Sequence, residues 1–540
     1  MKLRNPFLLG TLLCAGLLPA QTTLGAQNTS AEVPAEKSIV INEIMAVNCS
    51  GLRTRQGNIE DWIELYNTTS KTISLGGWYL TDSANDLRKW QFPPNVSLKA
   101  GGYMIVFCDG WSGEQPATGE YHANFSLDKE GEYLALVYSD AETIIHEYSP
   151  ACPMQYADIS YSETDPSGVG LYYTKPTPGA ANKDGLQAPV SEVIFSEPRG
   201  YKTKSFTLTL STLDEDAKIY YTLDGTVPTA ASQQYTGPIK ISNITCLRAI
   251  ACKDGHLPSA VATRTWLYPE EILQQPNTTP EGWPDSRQIN NHKLEYGMNA
   301  RIVRRNREIL LQGMTNIATI SMVTDLTNLF SPSKGIYVNP GNDGESWERP
   351  TSIELIDPSG GDEFQIDGGM RIRGAYSRSS DNPKHSLRFF FRNEYVGKLK
   401  FPLFGKEGAD EFDKVDLRTS QNFSWSFEKS PYNTFIRETF SRDSQRDMGM
   451  PYTRSRYYHL YINGQYWGLY QTQERSDADY AATYLGGKSK DWDCIKTSQP
   501  GYVTEASDGN MNAFADLYNI SVNQGFSGIY STNYHWIKGV

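Results

Sequence analysis

A short stretch in the last third of the chain concentrates positive charge around a single glycine. It reads RIRGAYSRSSDNPKHSLRFFF over residues 371–391, and its cationic side chains are Arg371, Arg373, Arg378, Lys384 and Arg388. Arginine and lysine bind phosphate oxygens, and a glycine lets the backbone approach a ligand closely. The patterns G-x-G-x-x-G and G-x-x-x-x-G-K-[ST] do not occur in it. The residues alone therefore leave two interpretations open: a phosphate cradle, or a surface hairpin whose arginines pair with carboxylates.

The elements around this stretch favour a loop between two strands. FQIDGGMRIRG precedes it and KHSLRFFFR ends it, and both runs have the alternation of a strand. Gly374 and residues 381–383 would bend the backbone between them. Kinase-like folds place phosphates under a glycine-containing loop between strands, with a lysine that reaches the phosphate oxygens. The arrangement is compatible with such a site.

Length and composition set the class of protein. With 540 residues, the chain has room for three or four domains of about 150 residues each. A formal net charge of -12 argues against a nucleic-acid binder, whose affinity comes largely from neutralising phosphates. An aromatic content of 12%, with 45 Gly and 29 Pro, is typical of strands joined by turns. We therefore expect a β-rich protein whose anion site, if present, is local.

The first 26 residues have the features of a secretory signal peptide. Lys2 and Arg4 precede an apolar run over residues 7–18, and small residues follow it. We find no later segment long and apolar enough to span a membrane, so we expect a secreted or cell-surface protein. Six cysteines remain after this segment; Cys246 and Cys252 lie too far apart along one strand to form a disulfide and are predicted as buried thiols.

Two β-sandwich modules are predicted before the charged stretch. Residues 36–185 contain DWIELYN, LGGWYLTD and the closing TPGAAN, and they resemble the lamin-tail domain, which has an immunoglobulin-like fold. Residues 189–268 contain IYYTLDGTVPT and LRAIACKDG, with a turn at Asp224-Gly225, and they resemble the small sandwich at the C-terminus of chitobiases and hexosaminidases. Asp61, Glu64 and Asp82 are interpreted as solvated loop carboxylates, and no metal ligand is assigned.

Residues 269–316 are predicted as a linker. Their first half is rich in Pro and polar residues, and the run ARIVRRNREILLQGM predicts a short amphipathic helix with a solvated basic face.

The region 317–540 resembles the spore coat protein H (CotH) kinase family. The family pattern, approximately R-G-N-S-S-R and then P-K-K-S, is matched at the positions listed below, whereas Ala375, Tyr376 and His385 depart from it. The hairpin YYHLYINGQYWGLYQTQE follows in the family order, with Asn463-Gly464 predicting a type I′ turn. The matching positions are Arg373, Gly374, Ser377, Arg378, Pro383, Lys384 and Ser386.

The resemblance implies roles for the matching residues. Arg373, Gly374, Ser377, Arg378 and Lys384 would bind the phosphates of ATP, together with a divalent metal ion, Mg or Mn. Glu474 would orient Lys384 by an ion pair; the alternative is a salt bridge between Glu474 and Arg475 or a neighbouring surface arginine. The family carries its catalytic and metal-binding aspartates well past the hairpin, so we expect them beyond Val540.

The sequence therefore predicts a multidomain β-rich protein: two immunoglobulin-like β-sandwiches followed by an α+β atypical protein-kinase-like domain. By resemblance, its function is transfer of the ATP γ-phosphoryl group to Ser or Thr of an exported protein. The sandwiches would attach it to a polysaccharide or another cell-surface polymer. The alternative is a non-catalytic adhesion or matrix-binding protein. A glycosidase has little support, because no catalytic carboxylate pair is recognisable.

Overall fold

The computed structural model describes residues 34–115, 119–164, 168–419, 424, 432–498 and 503–532. The predicted signal peptide lies outside the described residues. None of the helices in these ranges is long and apolar enough to cross a membrane.

The first module is a sandwich of two β-sheets whose strands pair mostly in antiparallel fashion. Its larger sheet has the order β12-β11-β1-β2-β7-β8, its smaller sheet has the order β10-β9-β4-β5, and β3 pairs with β6. Alternate residues of the strands, such as Ile63 and Leu65, meet between the sheets around Trp78. The strands are β1 (Ile39–Met45), β2 (Trp62–Asn67), β3 (Ile73–Ser74), β4 (Tyr79–Thr81), β5 (Trp90–Gln91), β6 (Ser97–Leu98), β7 (Tyr103–Cys108), β8 (Tyr121–Ala123), β9 (Leu134–Val137), β10 (Ile144–Tyr148), β11 (Ser160–Ser162) and β12 (Leu171–Tyr173).

The second module is a smaller β-sandwich with Trp266 and Leu247 at its centre. Its main sheet has the order β14-β21-β20-β17-β18, and two-stranded pairs β13-β16 and β15-β19 face it. The strands are β13 (Ile194–Phe195), β14 (Gly200–Tyr201), β15 (Phe206–Leu208), β16 (Leu210–Ser211), β17 (Lys218–Thr222), β18 (Gln233–Gln234), β19 (Ile239–Ile241), β20 (Thr245–Cys252) and β21 (Ala262–Leu267). All six cysteines in the described ranges are free thiols, as predicted for Cys246 and Cys252; Cys246 is buried and Cys252 is partly exposed.

The third module is built on a closed barrel in the order β22-β23-β24-β25-β28-β30-β29, closed by the parallel pairing of β22 with β29. Met322, Met370, Leu387 and Leu460 lie in its core. Its strands are β22 (Thr319–Val323), β23 (Arg349–Ile356), β24 (Phe364–Arg373), β25 (Ser386–Phe390), β26 (Leu399–Lys400), β27 (Glu411–Phe412), β28 (Lys414–Thr419), β29 (Ser455–Ile462), β30 (Gln465–Gln473), β31 (Cys494–Ser498) and β32 (Val503–Asp508). The α-helices in the described ranges are α1 (Pro269–Leu273), α2 (Ala300–Asn316), α3 (Leu326–Phe330), α4 (Arg437–Asp447), α5 (Ala478–Leu485) and α6 (Asn512–Thr532).

The fold class is the predicted one, two sandwiches followed by a module with few helices, but residues 269–316 are not a free linker in the structure. They contain α1 and α2, and Leu294 and Tyr296 between these helices are buried in the barrel core. The sequence prediction relied on proline and polar content. It missed that these apolar side chains, far apart from the barrel strands in sequence, complete the core of the third module.

The second sandwich and the barrel share a buried polar contact. Glu354 of β23 is fully buried, and its carboxylate lies 3.4 Å from the Nε atom of Arg199 and accepts a 3.2 Å hydrogen bond from the backbone N–H of Thr265. The Thr265 hydroxyl is also 2.8 Å from the Ser321 hydroxyl. Burial raises the pKa of Glu354, and its partners from the sandwich oppose that rise.

Candidate functional site

The charged stretch connects two paired strands of the barrel, as the sequence predicts. β24 and β25 are antiparallel, with Arg373 opposite Ser386 at the open end. Gly374 follows with φ +109°, a conformation that favours glycine, and a Cβ atom there would lie 2.1 Å from the Ser377 hydroxyl. A short 3-10 turn, Tyr376–Arg378, follows Gly374 in the loop. Glycine is therefore required both by the backbone angle and by the close approach of Ser377.

Two arginines of this hairpin converge on one buried carboxylate. Leu387 and Leu417 point into the barrel core, so Arg388 and Asp416, which oppose each other across β25 and β28, lie on its outer face. Arg388 binds the two carboxylate oxygens of Asp416 at 2.6 and 3.1 Å, and the Nη1 atom of Arg373 lies 3.1 Å from Oδ2, the oxygen that the Nη2 atom of Arg388 also contacts. Burial lowers the pKa of Arg373, and Asp416 opposes this effect.

Strand β28 adds a third arginine, Arg418, to this face. Helix α4 adds a second carboxylate, Glu438, and a fourth arginine, Arg442. Arg418 of β28 forms an ion pair with Glu438 of α4 and donates a 3.0 Å hydrogen bond to Gln473. Arg442, one turn along α4, is 3.8 Å from Glu438, and burial lowers its pKa. We call Arg373, Arg388, Arg418 and Arg442 the arginine cluster.

The arginine cluster has more donors than its carboxylates satisfy. The buried Nε atoms of Arg373 and Arg442 have no hydrogen-bond partner among the described residues. Four guanidinium groups face Asp416 and Glu438, so positive charge is in excess on this face of a chain with net charge -12. Buried donors without partners and surplus positive charge are the chemistry of an anion site.

Sequence reasoning included Arg373 but missed Arg418, Arg442, Asp416 and Glu438. A signal for two of them was present: in KVDLRT, Val415 and Leu417 alternate with Asp416 and Arg418, which places the charged pair on one face of a strand. The contribution of α4 depends on how the helix packs against the barrel, and no local pattern reports that packing.

Lys384 points away from the arginine cluster and is covered by residues 283–298, which we call the strap. Its ammonium group donates a 2.8 Å hydrogen bond to the carbonyl of Glu295 and lies 3.6 Å from the centre of the Trp467 ring. Burial lowers the pKa of Lys384 to about 7, whereas the nearby Glu295 charge opposes this shift. The strap is also fixed to the loop by a 2.8 Å ion pair between Arg287 and Asp381.

A pair of buried histidines joins the strap to the loop. The Nε2 atoms of His292 and His385 are 2.9 Å apart, and the Nδ1 atom of His385 is 2.6 Å from the Ser377 carbonyl. If His385 donates to that carbonyl, its Nε2 atom accepts from His292, and both rings are neutral. Burial lowers the pKa of His292 to about 4 and that of His385 to about 3, in agreement with this arrangement. His385, which replaces a lysine of the family pattern, is therefore a packing residue here.

Glu474 does not contact Lys384 in the structure. Its carboxylate accepts a 2.8 Å hydrogen bond from the backbone N–H of Arg454, forms a 3.1 Å ion pair with the guanidinium of Arg454, and accepts a hydrogen bond from Tyr484. Arg454 and Glu474 are brought together because they extend the β29-β30 ladder by one pair beyond Ser455 and Gln473. Glu474 therefore forms a salt bridge with an arginine, as in the alternative interpretation, but the partner is the largely buried Arg454, whereas Arg475 pairs with Asp477.

The other predicted residues are distributed around the loop. The Ser377 hydroxyl is 3.4 Å from the Arg373 carbonyl, whereas the guanidinium of Arg378 lies 3.9 Å from Asp343. The structure thus brings Arg373, Gly374 and Ser377 together and separates them from Lys384. Within the described ranges, no three His, Cys, Asp or Glu side chains are grouped so that they could hold a metal ion.

The interpretation of Asp61, Glu64 and Asp82 as solvated loop carboxylates is wrong for Glu64, whereas Asp61 and Asp82 are partly exposed. Glu64 is fully buried, and so is Glu43. Glu43 accepts hydrogen bonds from the Ser160 hydroxyl and, at 3.1 Å, from the backbone N–H of Thr177. Glu64 accepts one of 2.9 Å from Asn42 and one from the backbone N–H of Gly179. These carboxylates attach the TPGAAN segment to the sheet, so they are structural residues.

Comparison with models of known protein families matches three segments of the chain. Residues 32–151 match the lamin tail domain, residues 197–263 match the chitobiase/beta-hexosaminidase C-terminal domain, and residues 370–531 match the CotH kinase protein model. No curated protein gives a significant match to the chain. The three matches occur in the predicted order and confirm the suspected architecture, and the third relates the barrel and its arginine cluster to a kinase family.

Proposed function

We propose that the chain is an exported atypical protein kinase of the CotH type, which transfers the ATP γ-phosphoryl group to Ser or Thr of exported or surface proteins. The observation that carries this proposal is the coincidence of two independent features. The match to the CotH kinase protein model covers residues 370–531, and the arginine cluster with its unpartnered donors lies in the same range, beside the Gly374 loop. The sandwich modules serve attachment to a surface or polymer.

Phosphate binding is assigned to one side of the loop. Arg373 and the backbone around Gly374, together with Ser377 and Arg378, would hold phosphate oxygens, because charge-assisted hydrogen bonds are the strong contacts available to an anion. Lys384 would join them after exchanging the Glu295 carbonyl for a phosphate oxygen. ATP supplies the phosphoryl group, and Mg or Mn is proposed as its companion by resemblance. The described residues offer no group of three ligands for a metal ion.

The ion pair between Arg418 and Glu438 is the candidate for ordering the site. Protein kinases use a lysine on a strand and a glutamate on a neighbouring helix as an ion pair that must be in place for activity. Arg418 on β28 and Glu438 on α4 have the same strand-and-helix placement. We assign the orienting role to this pair, because Glu474 is engaged by Arg454.

Nucleotide binding to the purified chain tests this proposal. Fluorescence anisotropy with a labelled ATP analogue should show saturable binding that unlabelled ATP displaces. Arg418→Met should weaken binding at least tenfold, because it breaks the ion pair assigned to ordering the site. Lys384→Met should weaken it severalfold, because it removes the charge proposed to exchange the Glu295 carbonyl for a phosphate oxygen. Arg392→Met is the matched control, because Arg392 pairs with Glu345 outside the arginine cluster.

Phosphoryl transfer is the second measurement, made on the full-length gene product with radiolabelled ATP and exported proteins as acceptors. Label on Ser or Thr supports the kinase, and its absence despite nucleotide binding overturns the catalytic half of the proposal. The non-catalytic adhesion protein is the second candidate. It is favoured by the ion pairs of Arg371, Arg373 and Arg388 and by the strap over Lys384. If the wild-type chain shows no detectable nucleotide binding, the result supports the non-catalytic adhesion protein.

A further inference from the structure

The outer face of the larger sheet in the first module carries an open groove of about 520 Å³. Its floor is the outward face of β7, one wall is the loop that precedes β2, and the start of β8 closes one end. The residues that matter for its chemistry are Tyr103, Ile105 and Phe107 on the floor and Arg53, Arg55 and Lys99 on the rim. We call this feature the first-module groove.

The floor is a flat apolar strip. Met104, Val106 and Cys108 of β7 point into the sandwich core, so the alternate residues Tyr103, Ile105 and Phe107 lie on the opposite face of the sheet. Tyr103 and Ile105 are partly exposed there, whereas Phe107 is buried in a small cluster with Met45 and Trp62. From Tyr103 to Ile105, the partly exposed part of the strip, the strand rises about 7 Å. The Tyr103 ring is stacked on Tyr66 of β2, with centroids 4.7 Å apart and planes 26° apart, which fixes its orientation. The strip thus presents a rigid aromatic ring at one end and aliphatic surface beside it.

The rim is cationic and its charges are not compensated. Arg53, Arg55 and Lys99 are exposed, and none of them forms an ion pair with any described residue. The carboxylate that lines the groove, Glu120, is already engaged: it accepts a 2.9 Å hydrogen bond from the backbone N–H of Arg55 and lies 3.2 Å from His122. Arg53 donates a 2.8 Å hydrogen bond to the Gly57 carbonyl, which leaves its charge uncompensated. Among the described residues, the groove therefore has three cations without an ion pair and one engaged carboxylate, in a chain with net charge -12.

We propose that the first-module groove binds an acidic polysaccharide. Sugar rings would pack their apolar faces on Tyr103 and the strip, and their carboxylate or sulfate groups would pair with the rim cations. The floor is flat and open, without the deep anchor pocket that a peptide side chain uses at a binding hot spot. A linear polymer of rings fits this shape. The inference gives a ligand class to the attachment role in the proposed function and is independent of the kinase activity.

Affinity electrophoresis of the full chain tests the proposal, with polygalacturonate in the gel and neutral dextran in a parallel gel. The chain should be retarded by polygalacturonate only. Arg53→Gln/Arg55→Gln should weaken the apparent affinity at least tenfold. Lys218→Gln/Lys240→Gln removes the same charge from exposed positions of the second module and should change it less than twofold.

The contribution of the aromatic strip is tested separately. Tyr103→Ala should weaken retardation at least fivefold, and Tyr103→Phe, which keeps the ring, should retain it; thermal unfolding of both variants checks that the sandwich is intact. Three results would overturn the proposal: no retardation of the wild-type chain, equal retardation by poly-glutamate or DNA, or full retention of binding by a folded Tyr103→Ala variant. The last two would leave only a charged patch. Nucleotide binding by the third module is scored in its own assay, so the two proposals can fail independently.

Discussion

Buried carboxylates occur in both the first sandwich and the barrel, but their partners differ in kind. Glu43 and Glu64 of the sandwich are bound by hydroxyl, amide and backbone N–H donors, which are neutral. Asp416 of the barrel is bound by the guanidinium groups of Arg373 and Arg388. Neutral donors satisfy the hydrogen-bonding capacity of a carboxylate but add no positive charge, so such a site does not attract an anion. Surplus arginines satisfy it and still attract a second anion, so the partner's charge distinguishes a structural carboxylate from part of a binding site.

Removal of Asp416 should have the largest effect. Asp416→Ala leaves two partly buried guanidinium groups without their carboxylate, so we expect a loss of about 3–5 kcal/mol in the free energy of unfolding. Pyrophosphate at millimolar concentration should restore part of this loss by occupying the vacated position. Thermal and urea unfolding with and without pyrophosphate measure both effects. Glu411→Ala, which removes an exposed carboxylate paired with Lys398, is the control and should cost less than about 1 kcal/mol. If pyrophosphate does not stabilise Asp416→Ala, the arginines of the barrel do not attract a second anion, and the proposed difference between the barrel and the first sandwich is wrong.

Removal of Glu43 should cost less and should not be rescued. Glu43→Ala leaves the Ser160 hydroxyl and the Thr177 backbone N–H without their acceptor, so we expect a loss of about 2–3 kcal/mol. Glu43→Gln keeps one oxygen acceptor and should lose less. Stabilisation of Glu43→Ala by pyrophosphate would contradict the assignment of this site as structural.

The pH dependence of the free energy of unfolding gives a smaller test, and the pKa shift of Glu64 predicts its direction. Burial raises the pKa of Glu64 from 4.5 to about 7, because the donors around it only partly offset desolvation. The folded chain therefore holds this proton more tightly than the unfolded chain. The stabilisation that protonated Glu64 contributes to the folded chain is fully present below about pH 4.5, and it is lost as the pH rises to about 7. Relative to Glu64→Gln, the wild-type chain should lose about 2 kcal/mol over this window. Urea unfolding of both proteins across this range measures it, and parallel curves would show that Glu64 does not titrate there.

The strap over Lys384 should give the smallest effect. Arg287→Ala breaks an exposed ion pair with Asp381, which is worth about 0.5 kcal/mol at most. If the strap limits access to Lys384, this energy corresponds to a rise of about twofold in ATP affinity. Titration with the labelled ATP analogue measures the change. Arg307→Ala, which breaks an exposed ion pair with Glu270 away from the loop, serves as the control. Equal ATP affinities of the two variants would show that the strap does not gate the lysine.

The sequence predicted elements that depend on local patterns. The type I′ turn at Asn463-Gly464 is an example: φ is +45° and +80° at these residues, as this turn requires. Counting back from the turn without interruption would place residue 453 opposite Glu474. A bulge between Leu460 and Tyr461 shifts the register by one and places Arg454 there instead. A single extra residue, with no clear signature in composition, thus decided the partner of Glu474.

The candidate site was predictable only as far as its loop. Gly374 and Arg373 were predicted from the resemblance to the family motif, and they lie together in the structure. The separation of Lys384 from them depends on Glu295 and Trp467, which lie 89 and 83 positions away in the chain. Residues 283–298 were predicted within a linker because proline and polar residues dominate the surrounding composition. Burial of Leu294 and Tyr296 depends on the barrel that receives them, which composition cannot describe.

The buried Glu354 at the junction of the second sandwich and the barrel has a consequence for how such modules are exchanged during evolution. A barrel transferred to another protein without its sandwich would lose Arg199 and Thr265, the partners that make burial of this carboxylate tolerable. Its carboxylate would then face water on a surface shaped for another module. The heritable unit in this part of the chain is therefore the sandwich and barrel as a pair, so a lineage that keeps Glu354 at this position should also keep the sandwich beside it.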